Sequence, residues 1–131
     1  MKGTPDTMVV DLARPTLLVV DDDPAILGLV ASLLEDQFDV ACASDGWEAL
    51  VIAAEVQPDV VLLDLMMPGI NGLTLTEELR KLPRGRDLPV FVMTAHRGLQ
   101  AEAERLGVAG CFLKPFEPDV LITGLASATK V

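Results

Sequence analysis

The sequence predicts a doubly wound α/β domain: a five-stranded parallel sheet with helices on both faces. Three observations predict it. Five short runs, Leu17–Val20, Phe38–Ala43, Val60–Leu63, Pro89–Met93 and Cys111–Leu113, are largely apolar, as expected of strands buried on both sides of a sheet. Longer segments with apolar residues at helical spacing separate them, so strand and helix alternate along the chain. Proline, glycine, asparagine and aspartate mark the junctions, where each suits a cap or turn.

Taken in order, residues 1–15 are a polar, weakly patterned leader, expected to be flexible, in which Met8–Leu12 could pair or pack locally. The domain proper is expected over residues 16–131. The first strand runs into Asp21, Asp22 and Asp23, and Pro24 opens a helix to Glu35 with Asp23 as its N-cap. In that helix Ile26, Leu29, Val30, Leu33 and Leu34 share one face at helical spacing, leaving Leu27, Gly28 and Ala31 outward. After the second strand, Ser44 or Asp45 caps a helix over Gly46–Val56. The third strand ends at Asp64, and Pro68-Gly69 and Asn71-Gly72 lead into a helix over Leu73–Leu82. The fourth strand ends at Thr94. A short helix over Leu99–Leu106 is closed by Gly107, and the fifth strand is followed by Lys114 and a final helix over Pro118–Thr129.

Composition narrows the function. The 131 residues suffice for one aliphatic core without disulfides. Ten basic against twenty acidic residues give a net charge of −10, which argues against nucleic-acid binding by this chain, since phosphate contacts need clustered Lys and Arg. The charge-free stretches fall short of the ~18 apolar residues of a membrane span. Met1–Thr7 carry one Lys and no apolar stretch, so no signal peptide is expected and the cytoplasm is the expected compartment. Cys42 and Cys111 are too few for a disulfide framework.

In doubly wound folds ligands sit outside the carboxyl ends of the strands. Those ends carry Asp21, Asp22, Asp64, Thr94 and Lys114, a concentration of polar groups that packing does not require. Asp23 is accounted for by the N-cap. Three converging carboxylates repel one another unless a cation lies among them. Mg²⁺ suits such a set, as a hard ion that takes carboxylates and bridges to phosphate oxygens. Lys114 is aimed along the strand-end crevice, where it pairs with Asp64 or with a phosphoryl oxygen, and the Thr94 hydroxyl can donate to a second oxygen.

The segments "LLVVDDDPAI", "VVLLDLMMPGINGLTL", "PVFVMTAH" and "CFLKPF" resemble, in order and over about Thr16–Thr129, the signature segments of the receiver domain of bacterial response regulators. The resemblance implies a flavodoxin-like sheet in the order 2-1-3-4-5. It implies that Asp64 accepts a phosphoryl group and that Asp22 and Asp64 ligate Mg²⁺ directly. Asp21 would act on the metal through water, Met66 through its backbone carbonyl, and Thr94 and Lys114 would bind phosphoryl oxygens. The implied donor is a sensor histidine kinase, a phosphotransfer protein or a small acyl phosphate, and the implied recipient of the signal is a downstream protein or output domain. The chain is then a signalling module that assists its own phosphorylation and dephosphorylation, not an enzyme. That strand order puts Cys42 and Cys111 on opposite edges, about 19 Å apart, too far for a disulfide.

Two features depart from that family's pattern. An aromatic residue usually lies three places before the lysine; here it is Cys111, and Phe112, one place later, belongs to the opposite face of the strand. The final helix has no charged residue from Val120 to Thr129, so either Leu121, Ile122 and Leu125 form a surface for a partner or a second copy, or the helix continues further, or its Ser and Thr residues suffice for a modest polar face. Two other chemistries fit less well. A flavin-phosphate binder needs a Ser/Thr/Gly-rich loop where this chain has acids, and a haloacid-dehalogenase-type phosphatase needs Asp-x-Asp where it has Asp64-Leu65-Met66. A phosphorylation-independent module on the same fold usually lacks an acid or the lysine, and both are present.

Overall fold

A computed structural model describes residues 14–129; apart from Arg14 and Pro15, the expected leader lies outside them. Five parallel strands, β1 (Thr16–Val20), β2 (Asp39–Ala43), β3 (Val60–Asp64), β4 (Val90–Thr94) and β5 (Gly110–Leu113), lie in the order β2-β1-β3-β4-β5. The helices are α1 (Pro24–Leu34), α2 (Gly46–Val56), α3 (Gly72–Arg80), α4 (Gln100–Arg105), preceded by a 3₁₀ turn at Arg97–Leu99, and α5 (Pro118–Ser127). The expected strand order and the two-faced helical cover are both present.

Strand alternation divides the core. Leu18, Val20, Val61, Leu63, Val90 and Val92 pack against Ala49 and Ala53 of α2, Leu75 and Leu79 of α3 and Ala103 of α4. Leu17, Val19, Val60, Leu62, Phe91, Met93 and Phe112 pack against Val30 and Leu34 of α1 and Leu121 and Leu125 of α5. Every residue of the central strands β3 and β4 is buried, and each such aliphatic side chain contributes roughly 1.5–3 kcal/mol of burial. Phe112 lies on the α1/α5 side, stacked on Phe91 with ring centroids 5.7 Å apart, while Cys111 packs on the other side, as the period of two requires.

The caps follow their local chemistry. The Asp23 carboxylate accepts from Ala25 N–H, that of Asp45 from Glu48 N–H, and the Asn71 side chain from Thr74 N–H, each satisfying a donor that a helix start would leave open. Gly46 is needed for packing, since a Cβ there would fall 1.9 Å from the Ile70 side chain. The Arg14 guanidinium donates to the carbonyls of Glu35 and Phe38, tying the chain entering β1 to the turn before β2.

Two expectations are corrected. Leu29 is 48% exposed, whereas Leu27 packs against the core with Ile26 and Leu33, so the outward apolar face of α1 is Gly28 and Leu29. On α5, Leu121 and Leu125 are fully buried and Ile122 packs beside them. They are core residues and not a partner surface. The reason is how closely α5 approaches the sheet: a Cβ on Gly124 would sit 2.8 Å from the Phe112 ring.

Candidate functional site: a carboxylate and lysine cluster at the strand ends

The parallel sheet aims the carboxyl ends of β1, β3, β4 and β5 in one direction, and the polar residues follow directly from those ends. Asp21 continues the β1 ladder, its N–H donating to Ala43 O at 3.1 Å, and its side chain is fully buried. Its Oδ1 accepts from Asp23 N–H at 2.9 Å. Asp64 closes β3 at 6% exposure, with Oδ1 accepting from Met66 N–H at 2.9 Å. The loop beyond it folds back closely: Gly72 N–H donates to Leu65 O, and a Cβ at Gly72 would lie 2.8 Å from Asp64 O. Glycine there lets the first turn of α3 rest against the end of β3.

Lys114 joins these acids from the end of β5. Its Nζ donates to Asp21 Oδ2 at 3.0 Å and to Asp64 Oδ2 at 3.1 Å. Asp22 is exposed, yet one carboxylate oxygen from each of Asp21, Asp22 and Asp64 lies within 4.8 Å of the others. Burial raises the pKa of Asp21 above the ordinary carboxylate value, outweighing the Asp23 N–H and the Lys114 ammonium that favour its charge. For Lys114 burial disfavours the ammonium, but its hydrogen bonds to Asp21 and Asp64 prevail and raise its pKa. With three carboxylates and one ammonium, the cluster keeps an excess of negative charge in a partly buried setting. A hard divalent cation fits that donor set.

Thr94 is fully buried at the end of β4, with Oγ1 accepting from His96 N–H at 2.9 Å and its carbonyl accepting from Lys114 N–H at 2.9 Å. Thr94 therefore fixes the backbone of Lys114 rather than touching the carboxylates through its side chain. Met66 is 53% exposed, and the contact its backbone makes here is the N–H donated to Asp64. Sequence reasoning paired Lys114 with Asp64 alone. The order 2-1-3-4-5 already makes β1 and β3 neighbours; the bridge to Asp21 depends further on how the Lys114 side chain settles across both strand ends, which spacing along the chain does not encode. Ala95 was also missed: it lines two recesses, one with Met66, His96 and Leu99, the other with Lys114, Ile26, Leu29 and Phe116. A small residue between Thr94 and His96 was the available signal.

Among the described residues no helix is long and apolar enough to cross a membrane. Cys42 and Cys111 are both free thiols.

Comparisons with known proteins place this geometry in a family. Residues 17–126 match the model of the response regulator receiver domain. The chain is 37% identical over 111 residues to the DNA-binding dual master transcriptional regulator RpaA of Synechocystis sp., covering 82% of this chain and 46% of that protein. The chemotaxis response regulator CheY4 of Vibrio cholerae superposes with a TM-score of 0.82 at 29% identity, over 88% of this chain and 98% of that one. The receiver domain of the sensor histidine kinase PA1611 of Pseudomonas aeruginosa, with a magnesium ion coordinated in its active-site cleft, superposes with a TM-score of 0.77 at 27% identity, over 87% of this chain and 96% of that one. The chain spans about half the length of the curated relative RpaA. From the match over residues 17–126, together with the strand order and the strand-end cluster, the chain belongs to the response regulator receiver domain family.

Proposed function

We propose that this receiver accepts a phosphoryl group on Asp64 from a phosphohistidine, carried by a sensor histidine kinase or a phosphotransfer protein. The observation that carries the proposal is the Lys114 ammonium, held 3.0 and 3.1 Å from two buried carboxylates of a three-carboxylate cluster. An Asp64 carboxylate oxygen attacks phosphorus, and the phosphorus–nitrogen bond of the donor breaks. Its electron pair returns to the imidazole, which takes up a proton from solvent. Asp64 is kept in place by Met66 N–H on Oδ1 and Lys114 on Oδ2, so its carboxylate is oriented before the donor arrives.

Asp21, Asp22, Asp64 and the Met66 carbonyl are the groups that would hold Mg²⁺, which when bound offsets the charge of the phosphoryl oxygens and the attacking carboxylate. Lys114 exchanges its Asp64 contact for a phosphoryl oxygen, retaining Asp21 as its anchor. Thr94, whose Oγ1 accepts from His96 N–H, still has its hydroxyl proton to donate to a second phosphoryl oxygen. Phosphorylation then changes how the domain meets a downstream protein or output domain in the cytoplasm. The module assists its own phosphorylation and dephosphorylation and turns over no separate substrate.

The test is incubation with a small acyl phosphate and Mg²⁺ followed by intact mass. Wild type should gain one phosphoryl mass and Asp64→Asn none. Equal labelling of the two would remove Asp64 from this role.

A further inference from the structure

The domain carries an apolar ridge that neither its core nor its strand-end cluster uses. Trp47, the chain's only tryptophan, is 66% exposed on the first turn of α2, and Val51, one turn on, is 60% exposed. At i and i+4 they are neighbours on the helix surface, and Ala54, also exposed, continues the row. The inward face of the same helix is satisfied by Ala49 and Ala53 in the core, so packing does not account for the ridge. Scattered exposed apolar residues are ordinary, but an exposed tryptophan, the residue type most enriched at contact hot spots, extended by an aligned valine one turn on, marks a contact surface.

The rim says what would cover it. Asp45, Glu48 and Glu55 are the charged residues along this helix, all are exposed, and none is basic. A second copy would bring three acids against three more, on chains that each carry a net charge of −10. Residues 1–13 supply one Lys against Asp6 and Asp11, so they do not complement the rim either. An anionic lipid surface is repelled for the same reason.

We propose that the α2 ridge docks an amphipathic helix of another protein, whose apolar stripe covers Trp47 and Val51 and whose flanking Lys or Arg residues meet Glu48 and Glu55. Such a helix-on-helix contact gains affinity from the buried tryptophan and selectivity from the acidic rim. The surface lies on the α2/α3/α4 side of the sheet, away from the Gly28–Leu29 face of α1, so it does not depend on the assignment of Asp64.

Trp47 is itself the probe. The full chain is titrated with a synthetic amphipathic peptide of Leu and Lys, and with its counterpart of Leu and Glu, while tryptophan emission is recorded. The Leu/Lys peptide should shift the emission to the blue, saturably and more weakly at high salt, and the Leu/Glu peptide should leave it unchanged. Val51→Lys should weaken binding at least tenfold, whereas Thr123→Lys, the same charge change on α5, should alter it less than threefold. Circular dichroism on both variants separates a lost contact from a lost fold. The proposal fails if the Leu/Lys peptide gives no saturable shift, if both variants weaken it equally, if the Leu/Glu peptide or anionic phosphatidylserine vesicles bind as well, or if sedimentation shows a dimer that Val51→Lys disperses.

Discussion

Lys114 Nζ stands 3.0 Å from Asp21 Oδ2 and 3.1 Å from Asp64 Oδ2, so one ammonium from the end of β5 joins the ends of β1 and β3. The two acids lie 93 and 50 positions from the lysine in sequence. Both are buried, while Lys114 keeps 23% side-chain exposure.

Removing that ammonium should therefore destabilise the metal-free domain. Lys114→Ala leaves two buried carboxylates without their shared partner, at a cost of about 2 kcal/mol once partial solvent access is allowed for. Mg²⁺ should restore part of the loss, so its stabilising effect in thermal melts should be larger in Lys114→Ala than in wild type. Equal Mg²⁺ shifts in both proteins would mean that lysine and metal do not share this site.

Mg²⁺ should stabilise wild type by mass action, by about 2.7 kcal/mol at a hundredfold excess over its dissociation constant, a rise in melting temperature of several degrees. Asp22→Ala should abolish that rise. Asp22 is the exposed member of the cluster, so its loss should also raise the metal-free melting temperature slightly by removing a like charge. Calorimetric scans with Mg²⁺ and with chelator check both statements.

Asp21 sets the sign of a pH dependence. Burial raises its folded pKa above the ordinary 3.8, so its contribution is fully present below the unfolded pKa and is lost as pH rises through the folded value. In chelator, wild type should lose stability relative to Asp21→Asn as pH climbs from 3.8 upward. With Mg²⁺ the trend should reverse, because metal binding favours the ionised carboxylate. A wild-type-minus-variant difference that stays flat in chelator would contradict the assignment.

The exposed face of α1 gives a test of donor docking. Leu29→Glu should slow phosphotransfer from a cognate kinase at least tenfold and leave acyl-phosphate labelling intact, since Leu29 is 48% exposed. Leu27→Glu should instead lower the melting temperature, because Leu27 packs against the core. Parallel kinase and acyl-phosphate assays distinguish the two effects.

The lifetime of the phosphorylated form should be long. Met66 donates its N–H to Asp64 and lines a recess with His96, and a flexible apolar Met66 can cover a phosphoryl group without orienting a water. Met66→Asn supplies a polar side chain that can position the attacking water and should speed phosphate release about tenfold. Release from purified labelled protein at fixed Mg²⁺ and pH is the measurement; wild-type decay within seconds would contradict the slow-release picture.

Much of this was legible in the chain itself. Runs such as Val60–Leu63 are apolar without alternation, and that pattern specifies a strand covered on both faces. Asp23, Asp45 and Asn71 cap their helices because a short polar side chain can reach a free N–H two or three residues on. Less was legible where a segment lacks charge. α1 is apolar from Pro24 to Val30, so periodicity alone did not separate Leu27, which packs inward, from Leu29, which faces water. On α5 the absence of charge suggested an exposed partner face, yet Leu121 and Leu125 fill the core.

The sequence by itself determined the strand and helix alternation, the face assignment of Cys111 and Phe112, and the polar residues at the strand ends, because these depend on local propensity and on periods of two and 3.6. Tertiary structure alone decided that Lys114 bridges Asp21 as well as Asp64, that the Asp21 carboxylate is fully buried, and that Trp47 and Val51 remain uncovered. Those outcomes depend on how side chains settle across the strand ends and how closely helices approach the sheet. Such relations join residues tens of positions apart, and no local pattern carries them.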